Sequence, residues 1–172
     1  MQASDAIELY KLFVGGGIDV WLDGGWGVDA LLGEQTRQHE DLDIVLQEKD
    51  LPKLRQLLEA RGYKDVPRDD TSAWNFVLGD DEGILVDVHA FHFDDKGNGI
   101  YGDKGETYPA DSLKGTGTIN GQQVKCVTAD QLVKFHIGYE PDENDKKDVK
   151  ALCEKFGIEV PKEYTDYNSP SR

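Results

Sequence analysis

The chain has 172 residues and a formal net charge of −15, from 19 basic and 34 acidic side chains. At about 150 residues per domain this suits one domain, or one domain with a helical appendage. A surface so negative repels phosphate backbones and anionic lipid, which argues against nucleic-acid and membrane partners. No apolar run approaches the ~20 residues of a membrane span. Asp5 and Glu8 interrupt the N-terminus, and Cys126 and Cys153 lie far apart, so a reduced, cytoplasmic protein without a signal peptide is expected.

Helical spacing of Ala6, Leu9, Tyr10 and Phe13 predicts a helix over 3–14, ended by Gly15-Gly16-Gly17. A short strand over 19–22 leads to Gly24-Gly25-Trp26-Gly27, read as a tight turn, and a short helix over 28–32. A strand over 42–47 alternates, and a helix over 51–61 stops at Gly62. Strands follow over 63–66, 74–78 and 84–93. Segment 94–114, rich in Gly and Asp, reads as loop. Its Asp94-Asp95-Lys96-Gly97-Asn98-Gly99 stretch resembles a calcium loop with glycine at position six, but Lys96 stands where an oxygen ligand is required and Gly105 where a glutamate is. Strands over 116–119 and 123–127 flank Asn120-Gly121, a hairpin signal. Helices over 128–139 and 144–156 and a tail over 158–172 complete the chain. The expected class is α/β (α+β), with a catalytic part over 1–127 and a helical part with its tail over 128–172.

The carboxylates carry the chemistry. On a strand, alternate residues share a face, so Leu42, Ile44 and Leu46 turn inward while Asp41 and Asp43 stand together on the other side. The same alternation in Val86-Asp87-Val88-His89 places Asp87 and His89 opposite Val86 and Val88. If the two strands are neighbours, three carboxylates meet. Hard oxygen donors suit Mg²⁺ or Mn²⁺, and three of them can hold two ions that steady the attacking and leaving oxygens of a phosphoryl displacement. Without a cation, repulsion raises one of the carboxyl pKa values. Gly24 and Gly25, between strand and helix, let backbone amides approach a phosphate.

Gly24-Gly25, a spacer, Asp41-Leu42-Asp43 and a distal strand Asp87 together resemble the polymerase-beta-type nucleotidyltransferase superfamily. The string 21–29, with Arg37-Gln38-His39-Glu40-Asp41-Leu42-Asp43, is similar to the small antibiotic nucleotidyltransferases, both lincosamide nucleotidyltransferases and aminoglycoside 2''-adenylyltransferases. Val86-Asp87-Val88-His89 and Phe135-His136-Ile137-Gly138-Tyr139 look more like the lincosamide branch.

The resemblance implies a nucleotidyltransferase fold, a mixed twisted sheet with flanking helices and a C-terminal helical part. It implies ATP or another nucleoside triphosphate as donor and a small-molecule antibiotic hydroxyl as acceptor, lincosamide first and aminoglycoside second. Asp41 and Asp43 become metal ligands, and Asp87 becomes general base and also a ligand. Gly24, Gly25, Arg37 and His39 would contact the triphosphate, although an ordinary ion pair accounts for Arg37 and His39 equally well. His89, His136 and Tyr139 are weaker acceptor contacts, since packing explains each of them. The acidic run over 140–148 reads as a solvated face that would also attract a cationic acceptor. A metabolite or protein hydroxyl as acceptor, a non-catalytic nucleotide-binding module, and a homodimer are the alternatives left open.

Overall fold

The computed structural model describes residues 1–165. Helix α1 (Ala3–Gly15) leads into strand β1 (Val20–Leu22), helix α2 (Gly24–Leu32) and strand β2 (Asp41–Gln47). Helix α3 (Leu51–Glu59) is followed by β3 (Lys64–Val66), β4 (Asn75–Gly79) and the long β5 (Leu85–Phe93). Next come β6 (Gly99–Tyr101), β7 (Glu106–Tyr108), β8 (Gly115–Ile119) and β9 (Gln122–Cys126), then α4 (Ala129–Phe135), α5 (Glu143–Phe156) and α6 (Lys162–Thr165).

The strands form one mixed sheet in the order β3-β4-β5-β2-β1-β9-β8, with β6 and β7 continuing from β5 off this path. The pair that positions the chemistry, β2 and β5, is parallel, whereas β1 pairs antiparallel with β2. Period-two alternation divides the core between two faces. Leu42, Ile44, Leu46, Val86 and Val88 point toward α1 and α3, where they meet Phe13, Leu54 and Leu58. Val45 and Phe91 point the other way, into a second cluster with Leu132, Val133, Val149 and Leu152 of α4 and α5. Asp41, Asp43, Asp87 and His89 share that second face.

Three readings change. The glycine segment is the first turn of α2 rather than a tight turn before it: Asp23 caps the helix, its carboxylate accepting the Gly24 N–H at 2.9 Å. Segment 94–114 is not one loop. Asp94 accepts N–H groups from Lys96 and Asn98, closing a turn between β5 and β6, and the following segment pairs as the β6–β7 hairpin. A 3-10 turn over Ala110–Lys114 is pinned by the Trp21 indole, which donates to the Leu113 carbonyl at 2.6 Å. Helix α4 stops at Phe135, short of 139. The start of the tail lies on the body: Tyr164 is buried and its hydroxyl donates to the His136 carbonyl at 2.6 Å. The remainder of the tail, 166–172, is outside the described residues.

Helix α2 sits unusually close to β8. A Cβ on Gly117 would overlap the Ala30 carbonyl and come within 2.9 Å of the Leu31 amide. Backbone cannot yield as a flexible side chain can, so the pair must separate. Gly117→Ala should therefore destabilise the fold by about 1–3 kcal/mol. At this chain length the melting temperature should fall by about 2–4 °C per kcal/mol, which thermal denaturation followed by circular dichroism would measure.

Candidate active site

The site is built where the second sheet face changes from apolar to charged. Asp43 on β2 is the direct register partner of Asp87 on β5, so both carboxylates leave the same face side by side. Asp41 lies two residues before Asp43 on that face. His89, two residues beyond Asp87, reaches back between them: its Nε2 is 3.6 Å from Asp43 Oδ1 and 3.5 Å from Asp87 Oδ1. The other ring nitrogen is 3.4 Å from the Tyr101 hydroxyl.

Crowding like charges has the expected electrostatic result. Burial pushes the Asp41 carboxyl up, with added repulsion from Asp43 and Asp87, to about 6. Burial raises Asp87 as well, against the opposing pull of the His89 charge. For His89 itself burial disfavours the charged ring, but the hydrogen bond to Asp43 and the charges of Asp87, Asp23 and Asp43 prevail and lift it to about 9.

These donors fit a divalent metal ion. Ligand atoms of Asp43, Asp87 and His89 all lie within 4.8 Å of one another, close enough to surround a single cation. Asp41, beside them, supplies a further hard oxygen. The tight group therefore includes His89, which the sequence reading placed among acceptor contacts, while Asp41 stands at its margin.

The glycine pair adjoins this group. Gly24 has φ +52°, and a Cβ there would run into the Asp43 carboxylate. A Cβ on Gly25 would strike the other flank, meeting Arg37 Nη2 and His39 Cε1 at 2.6 Å. Both Arg37 and His39 thus stand over the start of α2, and both are held by acids. Arg37 Nη2 pairs with Asp148 of α5 at 3.0 Å. His39 is buried, stacks on Trp26 at 4.5 Å and pairs with Asp29 at 2.5 Å.

Some of the site escaped the sequence reading. Asp23 is buried at the end of β1, accepts a hydrogen bond from the Tyr108 hydroxyl at 3.3 Å, and has its carboxyl pKa raised by burial. Its place just before Gly24-Gly25 was the available signal. Above the carboxylates a cleft of about 320 Å³ is walled by Tyr101 and Tyr108 of the β6–β7 hairpin and by Phe135 of α4, with Glu106 at its lip. Tyr108 packs edge-on against Phe135, with ring centroids 5.3 Å apart. His136 is turned away, with its Nδ1 2.7 Å from the Leu132 carbonyl and its Nε2 3.6 Å from Asp145. Tyr139 is exposed and is not among the residues lining the cleft.

A family model described as aminoglycoside-2''-adenylyltransferase matches residues 6–152. The chain belongs to that adenylyltransferase family. It is 31% identical over 143 residues to a lincosamide resistance protein of Staphylococcus haemolyticus, a match covering 78% of this chain and 84% of that protein. The lincomycin-bound crystal structure of the lincosamide antibiotic adenylyltransferase LnuA matches with a TM-score of 0.78 at 28% identity, over 92% of this chain and 99% of that one. ANT(2")-Ia in complex with adenylyl-2"-tobramycin shares the fold at a TM-score of 0.71 and 18% identity, over 91% of this chain and 90% of that one. No helix among the described residues of this adenylyltransferase family member is long and apolar enough to cross a membrane.

In chelator, the raised pKa of His89 predicts a pH dependence of defined sign. The folded chain binds this proton more tightly than the unfolded chain, whose imidazole titrates near ~6.5. The stabilisation is complete below that value and is lost as pH rises through about 9. Melting temperature should therefore decline between these two values, and His89→Asn should flatten the slope.

Proposed function

We propose that this chain transfers the adenylyl group of ATP to a hydroxyl of a lincosamide antibiotic, with Mg²⁺ or Mn²⁺ bound at the carboxylates. The observation that carries this reading is the register pairing of Asp43 with Asp87 beside Gly24, in a chain so similar to a lincosamide resistance protein. Asp43 and Asp87 would hold the cation, Asp41 would add an oxygen from the margin, and the His89 ring, on giving up its proton, would complete the group. When bound, the cation neutralises charge developing on the phosphate oxygens. Asp87 accepts the proton of the acceptor hydroxyl as its oxygen attacks the α-phosphorus, and pyrophosphate leaves in line. At the start of α2 the Gly24 N–H is taken by Asp23, but the amides that follow lack intrahelical acceptors and, with Arg37, face the departing phosphates, while the buried His39 supports this turn from behind through Asp29.

The cleft walls favour the lincosamide. Tyr101, Tyr108 and Phe135 offer aromatic faces to a sugar ring and apolar groups, with Glu106 available for one amine. In this arrangement residues 1–127 carry the reaction, and the following helical part completes the acceptor wall through Phe135. An aminoglycoside acceptor is the second reading, favoured by the net charge of −15. It would bind with steep sensitivity to ionic strength, because several surface charges contribute.

Incubating the chain with MgATP and either lincomycin or tobramycin, and weighing the products, separates the readings. AMP added to lincomycin is expected; AMP on tobramycin alone would install the second reading, and no transfer to either would remove both. Asp87→Asn should lower kcat by about 10²–10⁴-fold while ATP binding persists. Turnover close to that of the unaltered chain would remove Asp87 as the proton acceptor.

A further inference from the structure

We infer that Asp148, on α5, is a positioning residue for the nucleotide: it holds the Arg37 guanidinium over Gly25, at the end of the site where the β- and γ-phosphates of ATP lie. The inference rests on the adenylyl-transfer reading above and adds a direction and a tether to it.

The direction follows from two neighbouring glycines. Gly24 abuts the Asp43 carboxylate, and Gly25 abuts Arg37 and His39. Asp43 also faces the acceptor cleft, so the reacting α-phosphate belongs at the Gly24 end. A triphosphate that continues along the start of α2 reaches Gly25 and the guanidinium with its outer phosphates. Arg37 is prepared for them. Its Nε is buried without a hydrogen-bond partner among the described residues, and its Nη1 makes only a long 3.4 Å contact with the Gln38 carbonyl. A guanidinium has five donors in a planar fork, so the pair with Asp148 leaves donors free.

The tether is Asp148. It is 111 residues from Arg37 in sequence and nearly inaccessible, with a side chain 5% exposed against 27% for Arg37. The acid is thus the fixed partner, and the arginine is the one open to a ligand. Buried ion pairs contribute little net stability compared with apolar packing, which leaves orientation as the role this pair is suited to. A second pair restrains the same segment: Asp29 of α2 accepts the Thr36 hydroxyl at 2.6 Å and pairs with His39. Asp148 secures the arginine from the opposite side, so that α5 controls a nucleotide contact although it contributes none itself.

Calorimetric titration with AMP and with an α,β-methylene analogue of ATP, both with Mg²⁺, tests this. Asp148→Asn should weaken the triphosphate by about tenfold, the scale of one charge-assisted hydrogen bond, and AMP by less than about twofold. Arg37→Ala should show the same selectivity, and the double variant should be no weaker than Arg37→Ala alone. Arg37→Lys, which keeps charge but loses the fork, should follow Asp148→Asn and serves if that variant fails to fold. Equal weakening of AMP and the triphosphate, or an unchanged triphosphate affinity, would overturn the inference while leaving adenylyl transfer intact. Absence of triphosphate binding by the unaltered chain would instead remove the underlying reading.

Discussion

The parallel pairing of β2 with β5 sets Asp43 directly beside Asp87, and the remainder of the site answers that one juxtaposition. Two carboxylates about 5 Å apart at an effective dielectric near 20 repel by about 3 kcal/mol. A fold that places them together must supply positive charge nearby. Here the His89 ring lies between them, and the N-terminus of α2 begins one residue beyond Asp23. The same crowding that burdens the free protein is what a divalent cation at this spot would relieve.

Helix α2 ties the parts of the site together. It is short, begins on two glycines, and is wedged between the two apolar clusters, with Trp26 and Ala30 in one and Val28 in the other. Its approach to β8 leaves no room for a side chain at Gly117. Because this helix is held on both sides, its first turn is a fixed surface against which Asp43 and Arg37 are both registered. Rigid support of this kind allows backbone amides to act on phosphate charge without reorganising.

The cleft above the carboxylates is made differently. Its walls come from the β6–β7 hairpin, which pairs with β5 and sets Tyr108 against Phe91 and Asp23, and from the end of α4, whose Leu132 and Val133 are rooted in the second core cluster. The carboxylates sit on central strands, whereas the aromatic lining of the cleft sits on elements at the margin of the sheet. Function is set by the side chains grafted at such margins rather than by the fold that carries them.

The amino-acid sequence by itself determined the face assignments. Alternation in 42–47 and 85–88 separated apolar from acidic side chains because a strand has a period of two wherever it is placed. Motif resemblance also singled out Gly24-Gly25, which the fold sets between Asp43 and Arg37. Which strands are neighbours was not legible, since pairing depends on contacts between residues more than 40 positions apart. For the same reason Tyr101, Tyr108 and Phe135 went unassigned: nothing in their local pattern shows that they converge on Asp23 and the carboxylates. The hairpin within 94–114 was hidden by its many glycines and aspartates, which locally favour turns and become strand only by pairing with β5. Arg37 and His39 were visible as a basic pair, but only the folded chain could bring Asp148 from α5 to Arg37. Local pattern determines what each segment can present, and long-range packing alone decides what it meets.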